Sequence, residues 1–524
     1  MEFKKILKYY YSVKNLKPLQ ILFLVKNRVL KIEFKNEIIK GELKKIKPKT
    51  DFIYSKKSLF IKDNKKYFEF INKKIPFTNW NMEEEPLWRF NLHYFDYLMQ
   101  KDMSKKMGLE FINSWIDYFD SNQHKKDALH SYPISLRIMN WIKFLNRFSI
   151  NDKKIEKSIL NQISYLFQNM EFDLMANHLL TNLLSLKFSL SFILGKRINF
   201  FIKIIDFLLK RELKEQINSD GLHYERSFMY SNIILEMILD IINITDDDTL
   251  KNIAQKMINT SSNFSVNNNI PLFNDAANNI ASDLSDLLKY SSALGLKLKE
   301  KSDILILKKS NFVKYENGDI ILWFDGGGDL KYQSGHIHSS ALSFELYYKK
   351  KKIFTDIGCI TYLNGENRNY LRATTSHNTI SIDNKNQSEI WSAFRVAKRA
   401  KFYTVIIDEN TIFSKVKGYE GYEHSRKIKF VDSRIIITDI IIFKGFHEFE
   451  LTFNIAPENK INFENKSIIL DKKISVFNDK FIPTIENTEY YPEFNKKINI
   501  KTIKYKNNFK NYIEFKTIIS LEVK

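Results

Sequence analysis

The spacing of apolar side chains changes once along this chain, near residue 300, and that change constrains the fold more than any other feature. From about residue 86 to 300, apolar residues recur at helical spacing. Three such sets are Phe111, Trp115 and Tyr118; Ile155, Ile159, Ile163 and Leu166; and Ile234, Ile238 and Ile241. After LKLKEKSDILILKK, alternation takes over in ILWFDGG, ALSFELYY and RIIITDIIIF. The pattern predicts a multidomain chain, an all-α part followed by an antiparallel β-sandwich.

The length of 524 residues exceeds the size at which a single hydrophobic core keeps growing. We therefore expect two large domains and a smaller N-terminal segment. The predicted boundaries are an N-terminal arm over 1–80, a helical domain over 81–305 and a β domain over 306–524. The arm is rich in lysine and contains short strand-like runs such as SLFI.

The charge balance favours a polyanionic partner. The formal net charge is +21, from 82 basic and 61 acidic residues. Nucleic acid is disfavoured because the chain has no zinc-finger cysteines, no RNP-like aromatic motif and no continuous basic helix. The predicted partner is an acidic polysaccharide, although an AT-rich coding sequence also accounts for part of the lysine excess.

The chain has one cysteine, Cys359, so an intrachain disulfide is impossible. Lys14 and Lys17 interrupt what would be the apolar core of a secretory signal. We expect a cytoplasmic protein, with the periplasm or cell envelope as the alternative. The most apolar run, LLTNLLSLKFSLSFILG, contains Asn182 and Lys187 and is predicted to be a buried helix rather than a membrane span.

Three histidines and an aspartate lie close together in the predicted β part. His336 and His338 alternate in GHIHSS, so they project to one face if this segment is a strand. Asp356 on a following strand and His377 would complete the set. Two imidazoles and a carboxylate suit a zinc-like ion, and the remaining histidine would be free for acid or base chemistry. The alternative is a strand edge that meets only water, and spacing alone does not choose between the two.

Several of these segments, in order, resemble one known family. GHIHSSALSFEL, FTDIGCITYL, NRNYLRATTSHNTISID and WSAFRVAKR resemble the C-terminal half of the heparinase II/III family of polysaccharide lyases. Upstream, PLWRFNLHYFDYL, HSYPISLRIMNW, NHLLTNLLSL, DGLHYERSFMYS and PLFNDAANN resemble its helical domain. YYYSVKNLKPLQI resembles the start of members found with bacterial surface-polysaccharide genes. The resemblance implies an incomplete (α/α) toroid followed by a β-sandwich.

The resemblance implies four catalytic residues. Asn177 and His178 match the position that binds the substrate carboxylate, although Asn177 also reads as a helix N-cap. Tyr230 matches the general acid, which serves as base for some sugar epimers. The alternative for Tyr230 is a core tyrosine, with Tyr224 as the neighbouring candidate. His336 matches a histidine that acts as base for the opposite C5 configuration or as a carboxylate partner.

The resemblance also implies a metal site. His338, Asp356 and His377 match the ligands of a zinc ion that orders the strands below the active site, and no organic cofactor is expected. Family members often carry an acidic residue two positions after the second histidine. This chain has Ser340 there, which puts the orientation of the ligands and the metal affinity in question.

Further residues are candidates for contact with the glycan. Guanidinium groups bind carboxylate and sulfate bidentately, and Arg226 would also lie one helical turn before Tyr230 and lower its pKa. The alternative for each arginine is an ordinary ion pair. The predicted substrate-binding set is Arg89, Arg137, Glu225, Arg226, Tyr362, Arg368 and Arg372.

These features together predict a lyase that cleaves an acidic, uronate-containing polysaccharide by β-elimination. A uronate C5-epimerase of surface-polysaccharide synthesis is the first alternative, because it begins with the same proton abstraction. A non-catalytic glycan-binding assembly protein is the second. The sequence leaves the sugar, its sulfation and the choice between monomer and homodimer open.

Overall fold

The computed structural model describes residues 2–30, 34, 37–121, 127–328, 332, 335–464 and 466–522. Most helices of the described chain precede residue 300. They are α1 Glu2–Val13, α2 Pro18–Val29, α3 Pro86–Tyr94, α4 Lys105–Ser121, α5 Ser131–Arg147, α6 Lys153–Gln168, α7 Ala176–Ser191, α8 Ile198–Gln216, α9 Phe228–Ile244, α10 Asp248–Asn263, α11 Leu284–Ala293 and α12 Glu366–Arg372.

The strands lie mostly after residue 300, so the predicted change from helix to sheet is confirmed. The early strands are β1 Glu42–Leu43, β2 Leu59–Lys62, β3 Lys65–Phe70, β4 Lys73–Pro76 and β5 Ile193–Leu194. The later strands are β6 Ile304–Leu307, β7 Phe312–Asn317, β8 Ile320–Asp325, β9 Ser343–Tyr348, β10 Lys351–Phe354, β11 Ile380–Ile382, β12 Ile390–Trp391, β13 Arg395–Val396, β14 Lys401–Phe402, β15 Ile406–Asp408, β16 Thr411–Lys417, β17 Glu423–Val431, β18 Arg434–Asn454, β19 Ile461–Glu464, β20 Ser467–Leu470, β21 Ile474–Asn478, β22 Thr484–Glu493 and β23 Lys496–Leu521.

Helix α7 lies at the centre of the helical region and contacts α5, α8 and α9. Its apolar side chains, including Leu179 and Leu183, are fully buried. A helix that neighbours surround on several sides needs an apolar surface all round, which accounts for the run LLTNLLSLKFSLSFILG. The buried-helix prediction is confirmed. Within the described ranges, no helix combines the length and the apolar character needed to cross a membrane.

The segment before α3 contributes to the same core as the helices. Strands β2, β3 and β4 form a three-stranded antiparallel sheet. Phe52, Leu59, Phe68 and Phe70 are buried with the helical side chains. The boundary at residue 80 stays a prediction, but residues 52–70 pack as part of the helical region.

The strands after residue 300 form two main antiparallel sheets. One has the order β10-β9-β8-β7-β6, and the larger one is built around the long strands β18 and β23, with β17 beside β18 and β16 beside β17. Buried and more exposed residues alternate along β17, where His424, Arg426 and Ile428 point inward and Lys427 points outward. This alternation is the pattern that the sequence predicted for a sheet with one covered face.

Besides the cores of the helical region and the β region, a further apolar cluster around the start of α9 contains side chains from both. Phe228 at the first position of α9 lies 5.4 Å from Phe312 of β7, measured between ring centroids. Phe264 at the end of α10 packs against Trp323 of β8. Arg226, just before α9, forms a buried salt bridge with Asp325 at the end of β8. These contacts hold the N-terminal end of α9 against the β region.

We expect Arg426→Ala to destabilise the β region strongly. Its guanidinium donates to Asp439 Oδ1 at 2.7 Å and to the carbonyls of Leu342 and Asn378, each at 2.7 Å. Removal leaves a buried carboxylate without its cation, which costs about 3–5 kcal/mol. Urea denaturation should show a much lower unfolding midpoint. The control Lys427→Ala, on the outward face, should unfold near the wild-type midpoint, and equal midpoints for both variants would contradict the assignment.

Candidate active site

A cleft of about 950 Å³ lies where the helical and β regions meet. The helical side contributes the first turn of α7 and one face of α9. The β side contributes residues from the loops that follow β8 and β10 and from the β12–β13 hairpin. Asn177, His178, Tyr230, His336 and Tyr362 all line this central cleft. The structure therefore brings the four predicted catalytic residues together.

The backbone before Asn177 has an unusual conformation. Met175 and Ala176 have φ of 58° and 51°, which non-glycine residues rarely adopt. Helix α7 begins at Ala176 with Met175 as its N-cap, so the alternative reading of Asn177 as an N-cap is wrong. The Asn177 side chain is 2% exposed, and its Oδ1 has no hydrogen-bond partner among the described residues. The unpartnered oxygen can accept a hydrogen bond from a hydroxyl of a ligand in the cleft, and Nδ2 of the same amide is the atom that can donate to a carboxylate.

A carboxylate orients His178. Its Nδ1 lies 3.0 Å from Glu171 Oε1, and Asn182 Nδ2 donates to Glu171 Oε2, also at 3.0 Å. Burial lowers the pKa of His178, but the charge and hydrogen bond of Glu171 outweigh it and raise this pKa above its ordinary value. The imidazole is thus biased toward its cationic form, which is the form that attracts a carboxylate.

Tyr230 lies in the first turn of α9, where its backbone N–H donates to the N-cap Ser227 Oγ at 3.3 Å. Its Oη is 2.8 Å from Tyr362 Oη. Burial, with a smaller effect from Tyr132, raises the pKa of Tyr230 well above its ordinary value. The phenol therefore holds its proton and is suited to act as an acid.

Arg226 does not support Tyr230 in the way that helical spacing suggested. It precedes α9, has φ of 63°, and its guanidinium binds Asp325 and the carbonyl of Ser310. The expectation that it would lower the pKa of Tyr230 is wrong, because its charge is directed toward β8.

Asp275, between α10 and α11, connects the two sides of the cleft. Its Oδ2 lies 2.8 Å from His336 Nδ1, and its Oδ1 lies 2.7 Å from His338 Nε2. Arg368 binds both carboxylate oxygens, with Nη2 2.6 Å from Oδ2. Burial raises the pKa of Asp275, but the Arg368 charge dominates and holds it well below the usual range. Asp275 lies in the motif PLFNDAANN, but the sequence did not predict a role for this aspartate.

The contact with Asp275 sets the orientation of His336. An ionised carboxylate accepts the Nδ1 proton, so Nε2 of the neutral ring is left as an acceptor, by inference from the network. The His336 ring lies 4.2 Å from the Tyr230 ring, measured between centroids. The expectation of a strand here is wrong, because β9 begins only at Ser343. Both imidazoles nevertheless reach one carboxylate.

The predicted metal ligands lie beside this network. His377 Nδ1 is 2.9 Å from Asp356 Oδ2, and the rings of His377 and His338 are 5.3 Å apart. Among the described residues, His338 Nδ1 and His377 Nε2 are buried without hydrogen-bond partners. No three His, Cys, Asp or Glu side chains in the described chain are already arranged as a metal site. Two unpartnered imidazole nitrogens near a carboxylate still fit the donor preference of zinc.

Ser340 occupies the position where an acidic residue was expected. Its Oγ donates to Asp325 Oδ2 at 3.3 Å. Asp325 also accepts the Gly327 N–H at 2.8 Å and pairs with Arg226. A buried carboxylate from β8 therefore lies next to the serine, and it joins this segment to the start of α9.

Two predicted glycan contacts in the helical region require correction. Arg137 is fully buried, and its donors bind Gln162 Oε1 at 2.6 Å and two backbone carbonyls. Burial lowers the pKa of Arg137 to about 9. Arg89 donates to Asp127 Oδ2 at 2.6 Å and lies in a separate, smaller pocket. Neither guanidinium faces the central cleft.

The other three arginines of the predicted substrate-binding set also bind groups inside the protein. Arg226 and Arg368 pair with Asp325 and Asp275. Arg372 donates to backbone carbonyls at 3.0–3.1 Å, and burial lowers its pKa to about 9. Buried guanidinium groups with internal acceptors are not positioned to bind a sugar in the cleft, so these predictions are corrected too. Glu225 and Tyr362, by contrast, line the cleft.

The described lining of the cleft is acidic, in contrast to the basic chain. It contains no arginine and three lysines, Lys56, Lys57 and Lys143, each within a salt bridge to an aspartate. It contains ten carboxylates, Glu69, Glu85, Asp96, Glu171, Glu225, Glu236, Asp240, Asp283, Asp286 and Glu493. Burial, with a smaller effect from the neighbouring Asp240, raises the pKa of Glu236 to about 7, so this carboxyl is partly protonated near neutral pH.

Known sequences match parts of this chain. Residues 301–519 match the family described as Heparinase II/III-like, C-terminal. The chain is also 30% identical over 105 residues to a heparin-sulfate lyase of Bacteroides stercoris. That alignment covers 19% of this chain and 15% of the relative's length.

Solved structures share the fold over most of the chain. A crystal structure of heparinase III superposes with a TM-score of 0.69 at 16% identity, covering 85% of this chain and 79% of that one. A heparan sulfate lyase of Pedobacter heparinus gives a TM-score of 0.60 at 16% identity, with 85% and 78% covered. The chain thus has a heparinase III-like fold of helices followed by a sheet-rich region, and its residues 301–519 resemble the C-terminal domain of heparinase II/III-like proteins.

Proposed function

We propose that this protein is a polysaccharide lyase that cleaves a uronate-containing polymer by β-elimination. The observation that carries the proposal is the pairing of Tyr230 and His336 in one cleft, with Asn177 and His178 on the same wall. A proton acceptor, a proton donor and a group that neutralises a carboxylate are what this elimination needs. The matched relatives, named as heparin- and heparan-sulfate lyases, support the reaction class.

The substrate carboxylate is the first group to be stabilised. Removal of the C5 proton moves negative charge onto the carboxylate attached to C5. Cationic His178 and the amide of Asn177 bind this group, and they bind the enolate-like state more strongly because its charge is greater. Preferential binding of that state, rather than of the substrate, accelerates the reaction.

His336 and Tyr230 then move the protons. His336 Nε2 takes the C5 proton, and the electron pair of that bond forms the C4–C5 double bond. The C4–O4 bond breaks with its electrons on O4, which takes the phenolic proton of Tyr230. The Tyr362 hydroxyl, 2.8 Å from Tyr230 Oη, donates a hydrogen bond to the resulting phenolate.

A bound zinc ion fits this proposal as a structural element. The imidazoles of His338 and His377 and the carboxylate of Asp356 would hold it. When bound, the ion supplies a fixed positive charge that ties the 336–338 segment to the loops carrying Asp356 and His377. His336 itself remains with Asp275 and faces the cleft.

We also propose how the helices and the two large sheets are arranged. The helices from α3 to α11 form an incomplete (α/α) toroid, and the two large sheets form an antiparallel β-sandwich. The heparinase III-like fold and the contacts between alternate helices, α5 with α7 and α7 with α9, support this assignment.

The acidic lining narrows the substrate class. A sulfated sugar needs cations, and each lysine of the described lining already pairs with an aspartate. The ten carboxylates of the lining add no cation that could bind a sulfate group. The proposed substrate therefore carries its acidity on the uronate alone.

The test of the function is a panel of uronate polymers that includes chondroitin and chondroitin sulfate, which share a backbone. We expect ultraviolet absorbance of a 4,5-unsaturated uronate to rise with unsulfated polymers and to rise much less with sulfated ones. Equal rates on the matched pair would contradict the unsulfated substrate. Exchange of the C5 proton in heavy water without absorbance would identify an epimerase, and binding with neither signal would identify a glycan-binding assembly protein.

We expect Tyr230→Phe to abolish most catalysis without unfolding the protein. The change removes one oxygen and leaves the ring volume almost unchanged, so packing is preserved. A positioned acid contributes about 10²–10⁴-fold, so kcat should fall by that factor with substrate binding retained. Tyr224→Phe, six residues earlier and outside the cleft lining, is the matched control. An inactive Tyr224→Phe beside an active Tyr230→Phe would reverse the assignment.

We expect elemental analysis of the purified protein to find about one zinc per chain, following the three-ligand pattern. His338→Ala should lower both the zinc content and the melting temperature, because it removes one ligand and one contact of Asp275. His447→Ala, a partly exposed histidine paired with Asp383, is the control and should keep its zinc. Wild-type protein that binds no metal after zinc is supplied would refute all three ligands together.

A further inference from the structure

The first thirty residues form two helices whose outward faces are apolar. On α2, Ile21, Leu22, Val25 and Val29 are all exposed, and Leu22 is 61% exposed. Their spacing places them on one side of the helix. An outward face normally carries polar side chains, so this arrangement reverses the usual pattern.

The inward face of α2 is already occupied. Gln20 is fully buried and donates to the Asp173 carbonyl at 3.3 Å. Phe23 packs against Phe172 with ring centroids 4.7 Å apart, and Lys26 donates to a carbonyl of α6. The helix is therefore fixed to the body through one face, and the apolar outer face needs a partner from outside the described chain.

Helix α1 repeats this arrangement. Ile6, Tyr10 and Val13 are exposed, while Tyr9 packs against Trp391 of the β12–β13 hairpin with ring centroids 4.8 Å apart. Trp391 Nε1 donates to Ser12 Oγ at 3.0 Å. Both helices thus present apolar side chains outward from an anchored position.

The charge of this segment selects the partner. Residues 5–30 contain no aspartate or glutamate and six cations, Lys5, Lys8, Lys14, Lys17, Lys26 and Arg28. Exposed apolar groups among cations, without any acid, match a lipid surface that carries anionic headgroups. Of these cations, Lys8 and Lys17 pair with Glu389 and Glu215 and Lys26 donates to the Gln168 carbonyl, which leaves Lys5, Lys14 and Arg28 to meet headgroups. The acidic residue of the two helices is Glu2, at the start of α1. Each helix has 12 residues, fewer than the roughly 20 that a membrane span needs.

We propose that α1 and α2 dock the protein on an anionic membrane surface, lying in the headgroup region with Leu22, Val25 and Val29 inserted. The proposal is independent of the proposed lyase activity, since it rests on the outer faces of these two helices. The docked helix α1 also holds the hairpin that supplies Phe394 to the cleft, so the cleft lies near the lipid.

The test is co-sedimentation of the full chain with lipid vesicles. Wild type should sediment with vesicles of equal parts phosphatidylglycerol and phosphatidylcholine. It should stay largely in solution with pure phosphatidylcholine, and should be released at about 1 M salt, where screening is strong. Absence of binding to the anionic vesicles at low salt, or equal binding to both kinds, overturns the proposal.

Variants locate the surface. The triple variant Leu22→Glu, Val25→Glu, Val29→Glu should reduce partitioning by about tenfold or more, because each side chain loses its apolar burial. Ile482→Glu is the matched control, since Ile482 is 60% exposed but lies far along the chain. The triple variant should melt normally and keep wild-type turnover on soluble polymer. A control that loses binding equally overturns the proposal.

Two further measurements separate the contributions. Lys14→Gln and Arg28→Gln should each weaken binding to anionic vesicles about fivefold, the effect of one cation near a charged surface. Sedimentation equilibrium without lipid should show the same state for wild type and the triple variant. If wild type is a dimer and the triple variant is a monomer, this face binds a second copy of the chain, and membrane docking is overturned.

Discussion

The ion pair between Asp275 and Arg368 is the interaction on which the site depends. Asp275 belongs to the loop after α10, and Arg368 belongs to α12 in the β region. Both side chains are fully buried, so neither charge is stable without the other. The pair therefore fixes the distance between the two walls of the cleft. It also sets the positions of His336 and His338, which contact Asp275.

The same carboxylate determines the state of two histidines. Because Arg368 keeps Asp275 ionised, each carboxylate oxygen accepts a hydrogen bond from an imidazole, His336 on one side and His338 on the other. His336 is left with an acceptor toward the cleft, while His338 Nδ1 is buried without a partner among the described residues, beside the His377 ring. A single buried charge thus connects the proposed proton-transfer site to the predicted metal site.

The charge of the cleft lining is opposite in sign to the net charge of the whole chain. The chain carries a net charge of +21, yet the described lining of its cleft has more carboxylates than lysines. The arginines that a composition argument assigns to the substrate lie inside the protein instead. Arg137 and Arg372, for example, bind backbone carbonyls. Folding removes these carbonyls from water, so they need hydrogen-bond donors inside the protein.

The sequence by itself determined the order of helix and sheet, the buried helix α7 and the grouping of Asn177, Tyr230 and His336 as site candidates. Periodicity reports local conformation, and ordered motifs report family. Only the tertiary structure decided the partners of each charge. Asp275 is 61 residues from His336 and 93 from Arg368 along the chain. Spacing predicts neighbours within one element, whereas contacts between distant elements depend on how the helices and sheets pack, which no local pattern encodes.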